Sequence, residues 1–251
     1  MAETRYLARA PITEALLDIQ VSLPEETTVG VLEGYQALLG DRYREKHVRQ
    51  AFQSGFEMSA NGPPRVETSR GGPDGFLFKA ASGLHVVQAR LDGFSFSRLK
   101  PYQGWEKFNS EAQRLWGLYV DLAKPERIRR IALRYINRIT LPLPVADFKD
   151  YFLTTPEVAP GIPQGLAQFL MRLVIPHDES QSVAVVTEAI EGPSSPSETA
   201  VLPFILDIDV FRMVDWEPGT AELWPTIEQL RGLKNDIFFK SITERTVEML
   251  Q

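Results

Sequence analysis

The stretch Arg129-Arg130-Ile131-Ala132-Leu133-Arg134-Tyr135-Ile136-Asn137-Arg138-Ile139-Thr140-Leu141, closed by Pro142, decides the reading of the fold. Ile131, Leu133, Tyr135, Ile139 and Leu141 alternate with Arg130, Arg134, Arg138 and Thr140, which is the two-residue period of a strand with one apolar and one charged face. The same form occurs near the start of the chain. There Ala15, Leu17, Ile19, Val21 and Leu23 alternate with Glu14, Asp18, Gln20 and Ser22 before Pro24.

Working outward from these two strands, each is followed by a similar series of elements. After Pro24, the acidic start at Glu25-Glu26 predicts a short helix through Leu39, then a strand over about Val48 to Met58. The Gly- and Pro-rich pieces Asn61–Pro64 and Gly71–Gly75 are read as turns. Strands over Phe76–Ala81 and Leu84–Leu99 flank a Ser82-Gly83 hairpin turn. Trp105, Phe108, Ala112, Leu115, Trp116, Tyr119 and Leu122 fall at helical spacing, and Lys124-Pro125 stops that helix. The second series has a short helix at Asp147–Leu153, a loop over Thr155–Gly165, strands near 168–175, 182–190 and 200–213, and a closing amphipathic helix over 221–250. Ser241-Ile242-Thr243-Glu244 fits a capping box that would break this last helix; a continuous helix is the alternative.

The expectation is an α+β fold of two similar β-α-β(3–4)-α halves, 1–125 and 126–251, joined in one unit with an offset of roughly 115 to 118 residues. Asp92–Phe96 lies opposite Asp207–Phe211 in that register. Long helices would pack on one face of a largely antiparallel sheet, by analogy with the saddle of the TATA-binding protein.

Apolar residues make up 43% of the 251 and charged residues 24%, ordinary globular usage, so a substantial core is expected. Cysteine is absent, which excludes disulfides, thiol nucleophiles and thiolate metal sites. The opening residues lack a basic segment followed by an apolar run, and no stretch reaches the roughly 18 apolar residues of a membrane span, so a cytoplasmic protein is expected. A net charge of −6 does not favour a phosphate backbone as partner. The arginines at 127, 129, 130, 134 and 138 are the one basic patch that could bind nucleic acid, against acids nearby.

Three segments together resemble a family of uncharacterised prokaryotic proteins of about this length with a sporadic distribution: Ala10–Ala15, Leu133–Ile139 with its Arg-Tyr-Ile-Asn-Arg core, and Phe238–Ile242. The resemblance spans almost the full chain. It implies no particular activity; sporadic distribution suits mobile modules such as toxin–antitoxin or phage-defence components.

If helices cover the apolar strand faces, the opposite face gathers Glu14, Asp18, Gln20, Arg130, Arg134, Arg138, Asp207 and Asp209. That face reads either as a surface for a protein partner or a second copy, or as cross-strand ion pairs on a solvated sheet. Asp207 and Asp209 share a strand face and could hold a divalent cation with Glu14 as a third ligand. Asn137 falls on the apolar face and must pin a neighbouring element or hold a ligand. The three histidines, His47, His85 and His177, lack zinc spacing, and no phosphate loop or nucleophile elbow occurs; no cofactor is called for. The leading expectation is a non-enzymatic interaction module. The alternative is a small-molecule or nucleotide site between the halves, metal-assisted through Asp207 and Asp209.

Overall fold

In the computed structural model, residues 7–57, 65–190 and 201–251 are described, with 51–57 and 65–70 described by backbone only. The elements are β1 (Ile12–Ser22), α1 (Val29–Glu33), α2 (Tyr35–Leu39), β2 (Glu45–Glu57), β3 (Arg65–Lys79), β4 (His85–Arg90), β5 (Gly93–Leu99), α3 (Trp105–Ala123), β6 (Arg127–Pro142), β7 (Leu170–His177), β8 (Ser182–Ile190), β9 (Val201–Trp216), α4 (Leu223–Ser241) and α5 (Glu244–Met249). The strands form one nine-stranded sheet in the order β2-β3-β4-β5-β1-β6-β9-β8-β7. Every pair is antiparallel.

The α+β class and the antiparallel sheet agree with the sequence reading. The two alternating strands sit side by side at the centre, with Leu17 opposite Leu133 and Ile19 opposite Ile131. Their apolar residues turn to one face and are buried with Phe94, Phe96, Phe204, Leu206, Ile208 and Val210 in a continuous core. α3 supplies Trp105, Phe108, Trp116 and Tyr119 to that core, as their spacing predicts, and α4 supplies Leu223, Ile227, Leu230 and Phe238. Tyr119 donates to the Arg90 carbonyl at 2.8 Å and Tyr35 to the Leu115 carbonyl at 2.6 Å, so these buried hydroxyls are satisfied.

Several local expectations change. Gly71–Gly75 is not a turn but part of β3, which pairs with β2 through register shifts around Gln50. Gly75 is required there by close approach, since a Cβ on it would collide with the Ala89 carbonyl of β4. Asn61–Pro64 lies outside the described residues. The single strand expected over Leu84–Leu99 is two, because Leu91-Asp92 forms a tight hairpin before Gly93. The helix expected at Asp147–Leu153 shrinks to a 3-10 turn at Phe148–Asp150. The closing helix does break, but Thr243 is the cap, accepting from the Thr246 amide, while Ser241 donates back to the Ile237 carbonyl.

The strand reading of the glycine-rich stretch has a direct test. Gly75→Ala is expected to destabilise the fold by about 2–4 kcal/mol, the range of severe steric substitutions. Gly72→Ala, where an added Cβ meets nothing within 4 Å, should stay within about 0.5 kcal/mol. Paired denaturant titrations measure both, and equal small effects would refute the assigned strand.

Candidate functional site

On the helix-free face Asp18, Arg130, Arg134, Asp207 and Asp209 come together and pair with one another or with Arg90. Asp18 on β1 meets Arg90 at 2.8 Å and Arg130 at 3.4 Å. Arg130 also reaches Asp209 at 3.2 Å and lies over the Phe211 ring at 4.4 Å. Arg134 holds both carboxylate oxygens of Asp207, at 2.9 and 3.1 Å from its Nε. Arg90 crosses β5 to reach Asp18 where Gly93 has no side chain; a Cβ there would stand 3.0 Å from the guanidinium. Glu14 sits near enough to Arg134 to help hold its charge, while Gln20 and Arg138 lie towards opposite ends of the face. Arg127 and Arg129, from the proposed basic patch, both pair with Asp215.

This arrangement leaves the face nearly self-neutralised. Phosphate binding by Arg130 or Arg134 would first have to displace an internal carboxylate, and charge-assisted pairs of this kind are the stronger ones. Asp207 and Asp209 share the face as their spacing requires, but each is engaged by an arginine. No group of three metal-type side chains converges among the described residues. Burial raises the Asp209 carboxyl above its usual range, opposed by Arg130 and Arg134, and its Oδ1 is buried with no partner.

The opposite, helix-covered side holds a feature that the charged strands did not announce. A cavity of about 470 Å³ opens there, walled by the segment after β5, the chain leading into β1, β6 and α4. Tyr102, Trp105, Tyr135, Phe238 and Phe239 give it aromatic walls, and Arg231 and Lys234 of α4 give it charge. Arg9 and Lys100 stand exposed at its rim. No aspartate or glutamate lines it among the described residues. Asn137 is the one predicted residue found here. It is 2% exposed and donates from Nδ2 to the Leu206 carbonyl at 2.9 Å, so it both pins β6 to β9 and lines the cavity.

Lys234 is the unusual member. It is only 7% exposed, and its described interaction is with the face of Tyr135, whose centroid is 3.8 Å from Nζ. Burial, then the neighbouring Arg231 charge, lowers its pKa from 10.5 to about 7. The Tyr135 ring opposes this, returning about 2 kcal/mol to the charged form. Tyr102 and Tyr135 share a hydrogen bond of 2.8 Å between their hydroxyls; burial pushes Tyr102 up to about 12 and raises Tyr135 well above its usual value, so both keep their protons. Arg231 pairs with Glu228 and lies over the Trp105 ring at 5.1 Å.

Two more sites escaped the sequence reading. A second cavity of about 500 Å³ is lined by Arg42, His85, Arg98 and Lys107 and meets the first at Gln103-Gly104. Burial and the two arginines hold His85 down at about 4, so its ring is neutral at physiological pH, and Glu111 already answers Arg42 and Arg114. Glu188 of β8 is fully buried with neither oxygen partnered, and burial raises it to about 7. It lies in the same cross-strand row as Asn137, with Leu206 between them. Only a lysine and a glutamate at positions of core periodicity could have signalled these, and a charged residue on a mixed helix reads equally well as solvated.

The two buried ionisable groups make opposite predictions for stability against pH. Lys234 binds fewer protons folded than unfolded between pH about 7 and 10.5, so its cost is full below 7 and vanishes as pH rises through that window. Lys234→Met is therefore expected to stabilise the fold at pH 6 by on the order of 3 kcal/mol, with the gain gone near pH 10. Glu188 binds more protons folded than unfolded between pH about 4.5 and 7, so its cost appears as pH rises. Glu188→Gln is expected to stabilise by about 3 kcal/mol above pH 7 and not below pH 4.5. Denaturant titrations of both variants across pH check each sign. Compared with protein-family models and with curated proteins, the chain finds no match in either.

Proposed function

We propose that this protein binds a small organic anion with an apolar or aromatic body in the cleft between two similar halves. One observation carries the reading: Lys234, 7% exposed and without a carboxylate partner among the described residues, faces a cavity whose lining contains cations and no acid. A buried charge without its counterion costs several kcal/mol. An anionic ligand supplies that counterion, and Trp105, Tyr135 and Phe238 suit its apolar part.

The internal doubling expected from sequence supports the placement. α3 and α4 are both 19 residues long, and Trp116 and Lys234 occupy the same position within them. β1 pairs with β5 as β6 pairs with β9, with Leu17 opposite Phe96 and Leu133 opposite Val210. In the first half this helix position buries a tryptophan against Phe94 and Tyr119. In the second it buries an amine beside empty space. The saddle analogy, cytoplasmic location and membership of the sporadically distributed family extend this proposal, and a role in a toxin–antitoxin or phage-defence system rests on the family resemblance alone.

Thermal denaturation with a panel of aromatic carboxylates and nucleoside monophosphates tests the reading. A ligand at 100 times its Kd should stabilise the wild type by about 2.7 kcal/mol. That gain should disappear in Lys234→Met and persist in Arg134→Ala on the opposite sheet face. Stabilisation lost in Arg134→Ala but kept in Lys234→Met would move the site to the charged face.

Self-association is a second reading with its own observation. β7 is an edge strand that pairs only with β8 and exposes Leu170, Val174 and Ile175. Apolar edges are templates for pairing with another strand. Sedimentation at micromolar concentration should find a dimer that Val174→Lys dissociates; a wild-type monomer removes this reading.

A further inference from the structure

We propose that Lys234 captures the carbonyl carbon of a 2-oxo acid as a reversible Schiff base, making the ligand of the cleft a carbonyl-bearing carboxylate. This rests on the anion-binding reading above and adds a covalent step to it.

Four features of the cavity support the step. The amine lies on the cavity wall with the Tyr135 face as its described contact, so no carboxylate holds it as an ammonium. Arg231, one turn earlier on α4, is a second cation facing the same space. Burial beside another cation is the environment that turns a lysine into a nucleophile, and its lowered pKa of about 7 agrees. The hydrogen-bonded Tyr102 and Tyr135 hydroxyls stay protonated and supply a donor for a carbonyl oxygen. Finally, Trp105, Phe238 and Phe239 offer apolar surface for the substituent of the oxo acid.

The chemistry balances without a co-reactant. The Nζ lone pair forms the N–C bond while the carbonyl π pair moves to oxygen, which takes up a proton; nitrogen releases one proton to water. The carbinolamine hydroxyl then takes up a proton and leaves as water while the nitrogen lone pair closes the C=N bond. The net change joins the neutral amine, the ketone and one proton, and yields an iminium and one water. The iminium carries a positive charge in a site with no acid of its own. The ligand's carboxylate answers it, which favours a 2-oxo acid over a neutral aldehyde.

The test incubates the full chain with phenylpyruvate and sodium cyanoborohydride, followed by intact mass and peptide mapping. One adduct is expected at Lys234, with the mass of the ligand acid less one oxygen. At pH 7 it should form on the order of a hundred-fold faster than at an ordinary lysine, because about a thousand-fold more of the amine is unprotonated while the less basic nitrogen is a weaker nucleophile. Its rate should rise through pH about 7 rather than near 10. Phenyllactate, which has the carboxylate and ring but no carbonyl, should compete and should stabilise the fold by itself. Stabilisation by phenyllactate without any Lys234 adduct overturns the Schiff base and leaves anion binding intact. Adducts scattered over surface lysines, undiminished by phenyllactate, overturn it as well. No stabilisation by either acid or by the wider anion panel fails the underlying reading. Lys234→Met should lose the adduct, and an undiminished adduct in that variant overturns the assignment; if the variant does not fold, mapping of the wild type decides alone.

Discussion

The antiparallel pairing of β1 with β6 is the constraint on which the rest depends. Ala15, Leu17 and Ile19 sit opposite Tyr135, Leu133 and Ile131, and all six are buried. A slip of one residue would send this set to the other face and bring Asp18, Arg130 and Arg134 into the core. One register therefore joins β1 to β6, assigns the helices to a face and confines the charges to the other. It also sets Tyr135 and Asn137 facing α4, which creates the floor of the cleft.

The two sides of the sheet handle charge differently. On the bare side, Arg90, Arg130 and Arg134 each find an aspartate, and Asp18 and Arg130 each serve two partners. Such half-buried pairs hold neighbouring strands in register and leave little field for an outside ligand. On the helix side Lys234 has only an aromatic face among the described residues, worth about 2 kcal/mol against the several kcal/mol of burying an ion. Those magnitudes decide which side is the better candidate site. Structural ion pairs account for the first, whereas the fold alone has no use for the second.

Much of this architecture was legible because it follows from short-range patterns. The alternation at Arg129–Leu141 and the helical spacing from Trp105 to Leu122 each encode a buried face locally. Gly71–Gly75 misled because glycine marks either a turn or a close approach of strands, and only Ala89 on a neighbouring strand distinguishes them. Within Leu84–Leu99, the Asp92-Gly93 pair was read as strand although its hairpin chemistry was present. The sequence leaves a broken and a continuous last helix as alternatives; the break falls with Thr243 rather than Ser241 as cap, beside the bridge between Phe152 and Ile242 that ends α4.

The sequence by itself determined the α+β class, the two strands with one apolar and one charged face, the long helices and which charged residues alternate onto that face, because period and spacing are properties of the local chain; that these strands are neighbours at the centre came from the tertiary structure. Asn137 was also identifiable as a polar group on an apolar face. Only the tertiary structure decided that the face charges would neutralise one another and that Lys234, Arg231, Tyr102 and Tyr135 would meet at one cavity. Those residues come from distant elements, and whether a charge is answered depends on its neighbours in space, which no local period records.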